Sequence, residues 1–144
     1  MTLAAILKTK GHDVATTRPT HTIAEALARL AERGIGAVLV EDALGQVLGI
    51  LSERDIARAL ATHGAATLGM TAGQLMTTRL VSAKPGTSVE EAMRIMTEGR
   101  FRHLPVMEGG LLVGIVSIGD VVKSLLAQKA QEVDSLKAYV VGAI

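Results

Sequence analysis

The sequence predicts a mixed fold of the α+β class, made of two copies of one unit that runs strand, helix, strand, strand, helix. The first observation is a repeat: "GILSERDIARAL" (Gly49–Leu60) recurs 65 positions later as "GIVSIGDVVKSL" (Gly114–Leu125). The second is that the preceding stretch from Thr16 aligns with the stretch from Ser82 at an offset of 66. The change of offset falls in a turn, where an insertion is best tolerated. Two copies of one supersecondary unit explain both observations, and they must pack together because neither could bury both faces of its small sheet alone.

The amino-acid composition indicates which side chains form the core and which classes of partner are disfavoured. Hydrophobic residues make up 49% of the 144 residues, yet there is one Phe, one Tyr and no Trp, so the core is aliphatic. So few aromatic side chains and a net charge of +1 argue against a nucleic-acid partner, which would need stacking surfaces or a basic field. The absence of cysteine excludes disulfides, a thiolate nucleophile and Cys-ligated metals.

The N-terminal sequence and the length of the apolar runs indicate where in the cell the protein is expected. A short apolar run near the start is followed by positive charges, which is the reverse of the order in a secretory signal peptide. No apolar stretch approaches the roughly 18 residues that a membrane span needs. We therefore expect a soluble cytoplasmic protein without a membrane partner. An organellar protein whose transit peptide is missing is the alternative.

Each copy opens with a short extended piece that ends at Pro19 or Pro85, because proline does not fit inside a helix. The helix that follows begins with a capping-box signature, in which Ser or Thr is followed three residues later by Glu. It continues with apolar residues at the spacing i, i+3, i+4, i+7. The signatures are Thr22-x-x-Glu25 and Ser88-x-x-Glu91, and the apolar positions are Ile23, Ala26, Leu27 and Leu30 in the first copy and Val89, Ala92, Met93 and Met96 in the second.

A strand hairpin and a second helix complete each copy. The hairpin is predicted from short apolar runs on both sides of a Gly-containing turn, and the helix begins at Ser52 or Ser117. The predicted strands are Ala37–Val40 with Val47–Leu51, and His103–Met107 with Leu111–Val116. The predicted organisation is an N-terminal helical segment (1–13), a first repeat (14–65), a linker (66–79) with a helical turn at Ala72–Met76, a second repeat (80–128) and an amphipathic C-terminal helical tail (129–144) that packs on this chain or on a partner.

A catalytic centre has little support. The histidines show no metal-ligand spacing, and no G-x-S-x-G elbow occurs. "GIVSIGD" has the glycine spacing of a P-loop, but Asp120 stands where the lysine should be and would repel phosphates. Glu90 and Glu91 are adjacent on a helix and diverge, so they cannot act as a facing acid–base pair. We therefore expect neither an enzyme nor a metal site. Surface or turn positions are expected for His12, His21 and His63, with His103 the exception.

The repeated polar pair, Ser52 with Asp55 and Ser117 with Asp120, has two interpretations. In the first, each pair is a further capping box that only starts a helix. The second begins from position, because each pair follows a strand at a helix N-terminus, where backbone N–H groups and the dipole favour an anion. A fixed Asp there can accept two hydrogen bonds from the vicinal hydroxyls of a ribose, as in dinucleotide folds. The repeat then predicts two related ribose sites.

With these motifs the sequence resembles a tandem pair of cystathionine β-synthase (CBS) domains, also called a Bateman module, over about Val14 to Leu126. "RHLPV" followed by "GIVSIGD" is quite specific to that family, and the "SLKAYV" tail is similar to its small stand-alone bacterial and organellar members. The resemblance implies two packed CBS repeats that bind an adenosine-containing ligand: AMP, ADP, ATP, NAD(H) or S-adenosylmethionine. It also implies a flat disc-shaped dimer and a regulated partner protein, which the sequence does not identify.

The same resemblance implies site residues of two kinds. The Asp of each pair holds ribose, with the Ser beside it. The strand before the first helix of the other repeat faces the adenine, together with the start of the second strand. By position, the ribose residues are Asp55 with Ser52 and Asp120 with Ser117; the adenine residues are Thr16 and Thr17 for Asp120, and Ser82 and Ala83 for Asp55; Gly36 and Ala37 line the adenine slot.

Phosphate ligands are implied at the start of the second strand, at Arg102 and His103. The alternatives are a solvated edge charge for Arg102 and a core histidine for His103. The first repeat has glycine and alanine in the same places, so its nearest cation is Arg54. The Asp55 site is therefore expected to be the weaker one.

Three classes of function compete. A nucleotide-sensing regulatory module explains why the Ser–Asp pair is repeated, and we expect this class. A ligand-free scaffold dimer needs the periodic core but not the pairs, and a small enzyme such as a nucleotide hydrolase lacks a base or a metal. One or two cations near Asp120 favour AMP or NAD(H) over ATP. Apolar helix faces on both repeats and an amphipathic tail favour a homodimer with two-fold symmetry.

Overall fold

The structure, a computed structural model, describes residues 1–142 and confirms the mixed α+β fold. Each of the four predicted hairpin strands is present and is one residue longer than predicted. The elements in chain order are α1 (Leu3–Lys10), β1 (Thr16–Thr17), α2 (Ile23–Arg33), β2 (Ala37–Glu41), β3 (Val47–Ser52), α3 (Glu53–His63), a 3-10 helix (Gly64–Gly69), α4 (Ala72–Leu75), α5 (Val89–Gly99), β4 (His103–Glu108), β5 (Leu111–Ser117) and α6 (Ile118–Gly142).

The chain divides into two compact units, and each contains one repeat. The first unit is Asp13–Leu80, which holds β1 to β3, α2, α3 and α4. The second unit combines Met1–His12 with the chain from Val81 onward, so α1 belongs with α5, β4, β5 and α6.

The first unit is built on a three-stranded sheet in the order β1-β2-β3. β1 runs parallel to β2, and β2 pairs antiparallel with β3, with a register shift between Val40 and Glu41. The predicted apolar stripe of α2 packs on this sheet, which explains why the helix forms where the i, i+3, i+7 pattern runs. The buried core consists of Ala15, Ile23, Ala26, Leu30, Val38, Val40, Leu51, Ile56 and Ala72.

The second unit repeats this arrangement with a smaller sheet. β4 and β5 form an antiparallel hairpin whose register shifts between Val106 and Met107, the place that corresponds to the shift in the first unit. The counterpart of β1 is reduced to one parallel bridge between Ala83 and Val106. The buried core consists of Leu3, Leu7, Ala83, Val89, Ala92, Met96, Leu104, Val106, Val116 and Val121.

The helix starts at α2 and α5 are capped, but not by complete capping boxes. The Thr22 hydroxyl accepts a hydrogen bond from the Glu25 N–H at 3.2 Å, and the Ser88 hydroxyl accepts one from the Glu91 N–H at 3.1 Å. Within residues 1–142 neither glutamate returns a bond to the backbone of its capping residue. Glu91 instead pairs with Arg94, one turn further along the helix. The helix starts expected from the capping-box signatures are therefore confirmed, but among the described residues the glutamates do not complete the boxes.

Each repeat is completed by the helix that precedes the other repeat in the sequence. α1 precedes the first repeat but packs on β5 of the second unit, and α4 precedes the second repeat but packs on β3 of the first unit. The approach is close, because a Cβ at Gly114 would lie 2.6 Å from a methyl carbon of Leu7, and one at Gly49 would lie 2.7 Å from the Thr77 carbonyl oxygen. The glycine of the repeated "GI" motif thus makes room for this helix.

Candidate functional site

The first Ser–Asp pair lies where β3 ends and α3 begins, and it forms a full capping box. The backbone N–H and the hydroxyl of Ser52 both donate to Asp55 Oδ2 at 2.9 Å, and the Asp55 N–H donates to the Ser52 hydroxyl at 3.2 Å. The capping interpretation therefore accounts for the local geometry of this pair. All of these bonds to the carboxylate end on one oxygen, Oδ2.

The second pair has the same geometry where β5 ends and α6 begins. The Ser117 N–H donates to Asp120 Oδ2 at 2.8 Å, and the Asp120 N–H donates to the Ser117 hydroxyl at 3.1 Å. A carboxylate that is held by one oxygen can still accept bonds through the other, because an ionised carboxylate offers about four lone-pair positions. Capping and ligand binding are thus compatible at both pairs.

Asp120 also has an ion pair, which Asp55 lacks among the described residues. The Lys10 Nζ, at the end of α1, lies 2.6 Å from Asp120 Oδ2 and 2.9 Å from the Ile115 carbonyl oxygen. Burial raises the pKa of Asp120, but the hydrogen bonds from Lys10 and from the Ser117 N–H outweigh it, so the pKa lies below its ordinary value. The Asp120 carboxylate is therefore ionised over the whole neutral range.

Sequence reasoning missed Lys10, because this residue lies outside the recognised repeats. The ion pair joins positions 110 residues apart and depends on α1 packing in the second unit. The available signal is the repeated glycine that α1 and α4 approach, which marks the strand that each helix covers.

The implied phosphate residues lie directly beside the second pair. His103, the first residue of β4, is the register partner of Ser117, and the Arg102 carbonyl accepts a bond from the Ile118 N–H at 2.8 Å. The Arg102 side chain is exposed, and His103 is half-buried. Arg102, His103, Ser117 and Asp120 are thus brought together at the start of α6.

The first unit has the same backbone arrangement without the cations. Ala37 is the register partner of Ser52, and the Gly36 carbonyl accepts a bond from the Glu53 N–H at 2.9 Å. Gly36 and Ala37 therefore correspond to Arg102 and His103 in space as well as in sequence. The nearest predicted cation, Arg54, lies exposed in the first turn of α3.

The implied adenine residues lie on the short strand or bridge before α2 and α5. Thr16 and Thr17 pair with Leu39 and Val40 of β2. Thr17 is buried, and its hydroxyl lies 3.0 Å from the His21 Nδ1. In the second unit, Ser82 is exposed and Ala83 is buried. Each of these residues lies in the other unit from the Asp that it is predicted to face, and that facing arrangement stays a prediction.

The described residues lack two kinds of feature, a metal-binding cluster and a membrane-spanning helix. In the part of the chain that the structure describes, no group of three or more His, Asp or Glu side chains could hold a metal ion. Over the same residues, no helix is both long and apolar enough to cross a bilayer.

Comparison with known proteins identifies the class of protein. The family model of the CBS domain matches the chain twice, over residues 7–62 and 72–127. The chain therefore belongs to the CBS-domain family and carries a tandem pair of CBS domains. Each match begins inside or at the start of the helix that completes the other repeat, α1 or α4.

Three relatives illustrate the similarity. The solved structure of the CBS-domain containing protein ATU1752 from Agrobacterium tumefaciens is 48% identical, with a TM-score of 0.83 over 85% of this chain and 91% of that one. CBSX3, a mitochondrial CBS domain-containing protein from Arabidopsis thaliana, is 35% identical over 125 residues, which are 84% of this chain but 61% of its own length. CBSX2, solved in complex with AMP, is 30% identical, with a TM-score of 0.66 over 81% of this chain and 90% of that one.

Proposed function

We propose that this chain is a regulatory module that senses an adenosine-containing ligand, with its main binding site at Asp120. The observation that carries the proposal is an ionised carboxylate fixed at the N-terminus of α6 by its Oδ2. Its other oxygen, Oδ1, is available to the hydroxyls of a ribose. The AMP complex of CBSX2 supports the ligand class.

The charge around Asp120 supports a ligand with few phosphates. Arg102 is exposed one residue before β4, and the start of α6 favours an anion. One arginine with His103 and a helix N-terminus suits a monophosphate or a dinucleotide pyrophosphate. AMP or NAD(H) is therefore expected to bind at least as tightly as ATP in the absence of magnesium.

The Asp55 site is proposed as a secondary site. It has the same capped carboxylate, but glycine and alanine occupy the positions that hold Arg102 and His103 in the second repeat. Arg54 is the nearest candidate cation there. The two repeats are thus expected to bind ligand unequally.

The test is calorimetry on the full chain with adenosine, AMP, NADH and magnesium-free ATP. Arg102→Ala should weaken AMP much more than adenosine, because only AMP has the phosphate. Lys137→Ala, which removes an exposed cation near the other end of α6, is the matched control and should leave both affinities unchanged. ATP as the clearly tightest ligand would contradict the charge argument.

Binding of none of the four ligands would overturn the proposal. The ligand-free scaffold would then be the better account, with the Ser–Asp pairs acting only as caps. We also propose that the module is not an enzyme. Chromatography of AMP, ATP and NADH after prolonged incubation with the protein should show each nucleotide unchanged.

A further inference from the structure

The two repeats differ in one contact beside the Ser–Asp pair. In the second repeat, the side chain of Lys10, at the end of α1, reaches the candidate site. In the first unit, the backbone of Ile50 exchanges two hydrogen bonds with Thr77: the Thr77 N–H donates to the Ile50 carbonyl at 2.8 Å, and the Ile50 N–H donates back at 3.0 Å. In the second unit, the carbonyl of the corresponding residue, Ile115, accepts from the Lys10 ammonium at 2.9 Å. A charged side chain thus takes the place of a neutral backbone group, and it brings a positive charge to Asp120 alone.

The ammonium group is held at the edge of the site with donor capacity to spare. A lysine has three N–H donors, of which Lys10 uses one on Ile115 and one on Asp120. Its side chain is 37% exposed and that of Asp120 is 27% exposed, so a ligand can reach both groups. One donor of Lys10 and one oxygen of Asp120 are therefore available side by side.

A ribose is not expected to displace Lys10 from the carboxylate. A hydrogen bond between an ammonium and a carboxylate is roughly twice as strong as one between neutral groups, and the 2.6 Å distance is slightly shorter than the usual range of about 2.7–2.9 Å. A sugar hydroxyl therefore has to use Asp120 Oδ1 and leave the ion pair in place. In that position the oxygen of one hydroxyl of the sugar lies within reach of the ammonium.

We propose that Lys10 is a ligand-binding residue of the Asp120 site, which donates its third N–H to an oxygen of the ribose diol while the diol donates to Asp120 Oδ1. The inference rests on the proposed function. It identifies the group that this site recognises as a ribose in which the two vicinal hydroxyls are both free. The carboxylate and the ammonium together supply an acceptor and a donor, which match the two roles that a hydroxyl can take. Lys10 also makes the Asp120 site different in kind from the Asp55 site.

The test combines a protein variant with a ligand variant. Lys10→Met keeps the length of the side chain and removes its charge and its donors. Calorimetry on the full chain should show adenosine and AMP weakened by a similar factor of about tenfold or more, because the lost bond is to the sugar and not to the phosphate. Lys8→Met, an exposed lysine on the same helix, is the matched control and should change neither affinity.

Deoxyadenosines separate a contact with the sugar from support of the fold. In the wild type, removal of the 2′- or the 3′-hydroxyl weakens binding, and for one of them the penalty should shrink severalfold in Lys10→Met. If that variant does not fold, as judged by thermal unfolding, Lys10→Gln keeps a donor for the Ile115 carbonyl and undergoes the same measurements. An unchanged penalty for both deoxyadenosines, or tighter binding by the variant, would overturn the inference. Wild-type protein that binds no adenosine compound would instead overturn the proposed function itself.

Discussion

Asp120 and Asp55 occupy the same position in the two repeats, but their surroundings differ in charge. The side-chain carboxylate of Asp55 accepts hydrogen bonds from Ser52 only, within the described residues. Asp120 has the equivalent backbone bond from Ser117 and an ammonium at 2.6 Å, with Arg102 and His103 alongside. Both aspartates accept a bond from the capping serine, but the charges around them differ. Substitutions at the two positions can therefore be compared directly.

Replacing each aspartate by alanine should therefore give unequal losses of binding. Asp120→Ala removes two charge-assisted hydrogen bonds to ribose, each of about 1.5–3 kcal/mol. AMP affinity should fall by roughly a hundredfold or more, since about 1.4 kcal/mol corresponds to tenfold. Asp55→Ala should reduce the overall affinity less, because its site lacks the phosphate cations. Calorimetry with AMP measures both.

The matched control is the melting temperature of the same two variants. Each variant keeps its serine N-cap but loses the return bond from the serine N–H to the aspartate carboxylate, which stabilises the start of the helix. Both variants should therefore melt at a lower temperature than the wild type, whatever happens to binding, and Asp120→Ala should melt lower than Asp55→Ala because it also loses the ion pair with Lys10. If both melt lower but bind AMP as the wild type does, the Ser–Asp pairs are caps and the nucleotide proposal fails.

The low pKa of Asp120 predicts a dependence of stability on pH. The ordinary pKa of an unfolded Asp is about 3.9, and the bonds from Lys10 and Ser117 place that of folded Asp120 below its ordinary value. A group whose pKa is lower in the folded state adds stability above its unfolded pKa, and this stability is lost as the pH falls through the folded pKa. Urea midpoints should therefore fall more steeply below about pH 4 in the wild type than in Asp120→Asn. Asp134→Asn, an exposed carboxylate on α6, should behave as the wild type; equal slopes for all three proteins would contradict the prediction.

The close approach between strand β3 and the segment directly after α4 that packs on it can be tested at Gly49. A Cβ there would lie 2.7 Å from the Thr77 carbonyl oxygen and 2.8 Å from the Met76 sulfur. Because one of these atoms belongs to the backbone, the segment after α4 has to move away. Gly49→Ala should lower the free energy of unfolding by about 1–3 kcal/mol in urea denaturation. Gly69→Ala, where nothing lies within 4 Å of the added methyl group, is the control, and an equal effect of both changes would count against the close approach.

The elements differ in how strongly the local sequence encodes them. The hairpins and the α2 and α5 stripes could be predicted, because each is encoded by a local pattern with a period of two or of 3.6 residues. The ribose candidates could be predicted because the Ser–Asp pair is repeated. The exchange of α1 and α4 between the repeats, and with it Lys10, could not be predicted. The position of α1 depends on contacts with a segment about 110 residues away, which no local pattern encodes.

In the molecule as a whole, α6 presents an apolar face between Val122 and Val140 that the described chain does not cover. Only Val121 and Ser124 of this 25-residue helix are buried. Five of its exposed apolar residues are spaced four and three apart in alternation, interrupted once by Lys129, which is the spacing of a coiled-coil seam. They are Val122, Leu126, Val133, Leu136 and Val140, with exposed fractions between 39% and 65%.

We predict that a second copy of the chain covers this face, in a homodimer with two-fold symmetry. In such a dimer the same helix face meets itself, so one substitution acts on both sides of the contact. A double change, Leu126→Glu with Leu136→Glu, would place four carboxylates in the seam and should convert the dimer to a monomer at micromolar concentration. Ala138→Glu, on the opposite face of α6, is the matched control and should leave the dimer intact. Light scattering coupled to gel filtration measures the masses. A wild-type protein with the mass of a monomer or of a larger assembly would contradict the dimer, and a double variant that stays dimeric would place the interface elsewhere on the molecule.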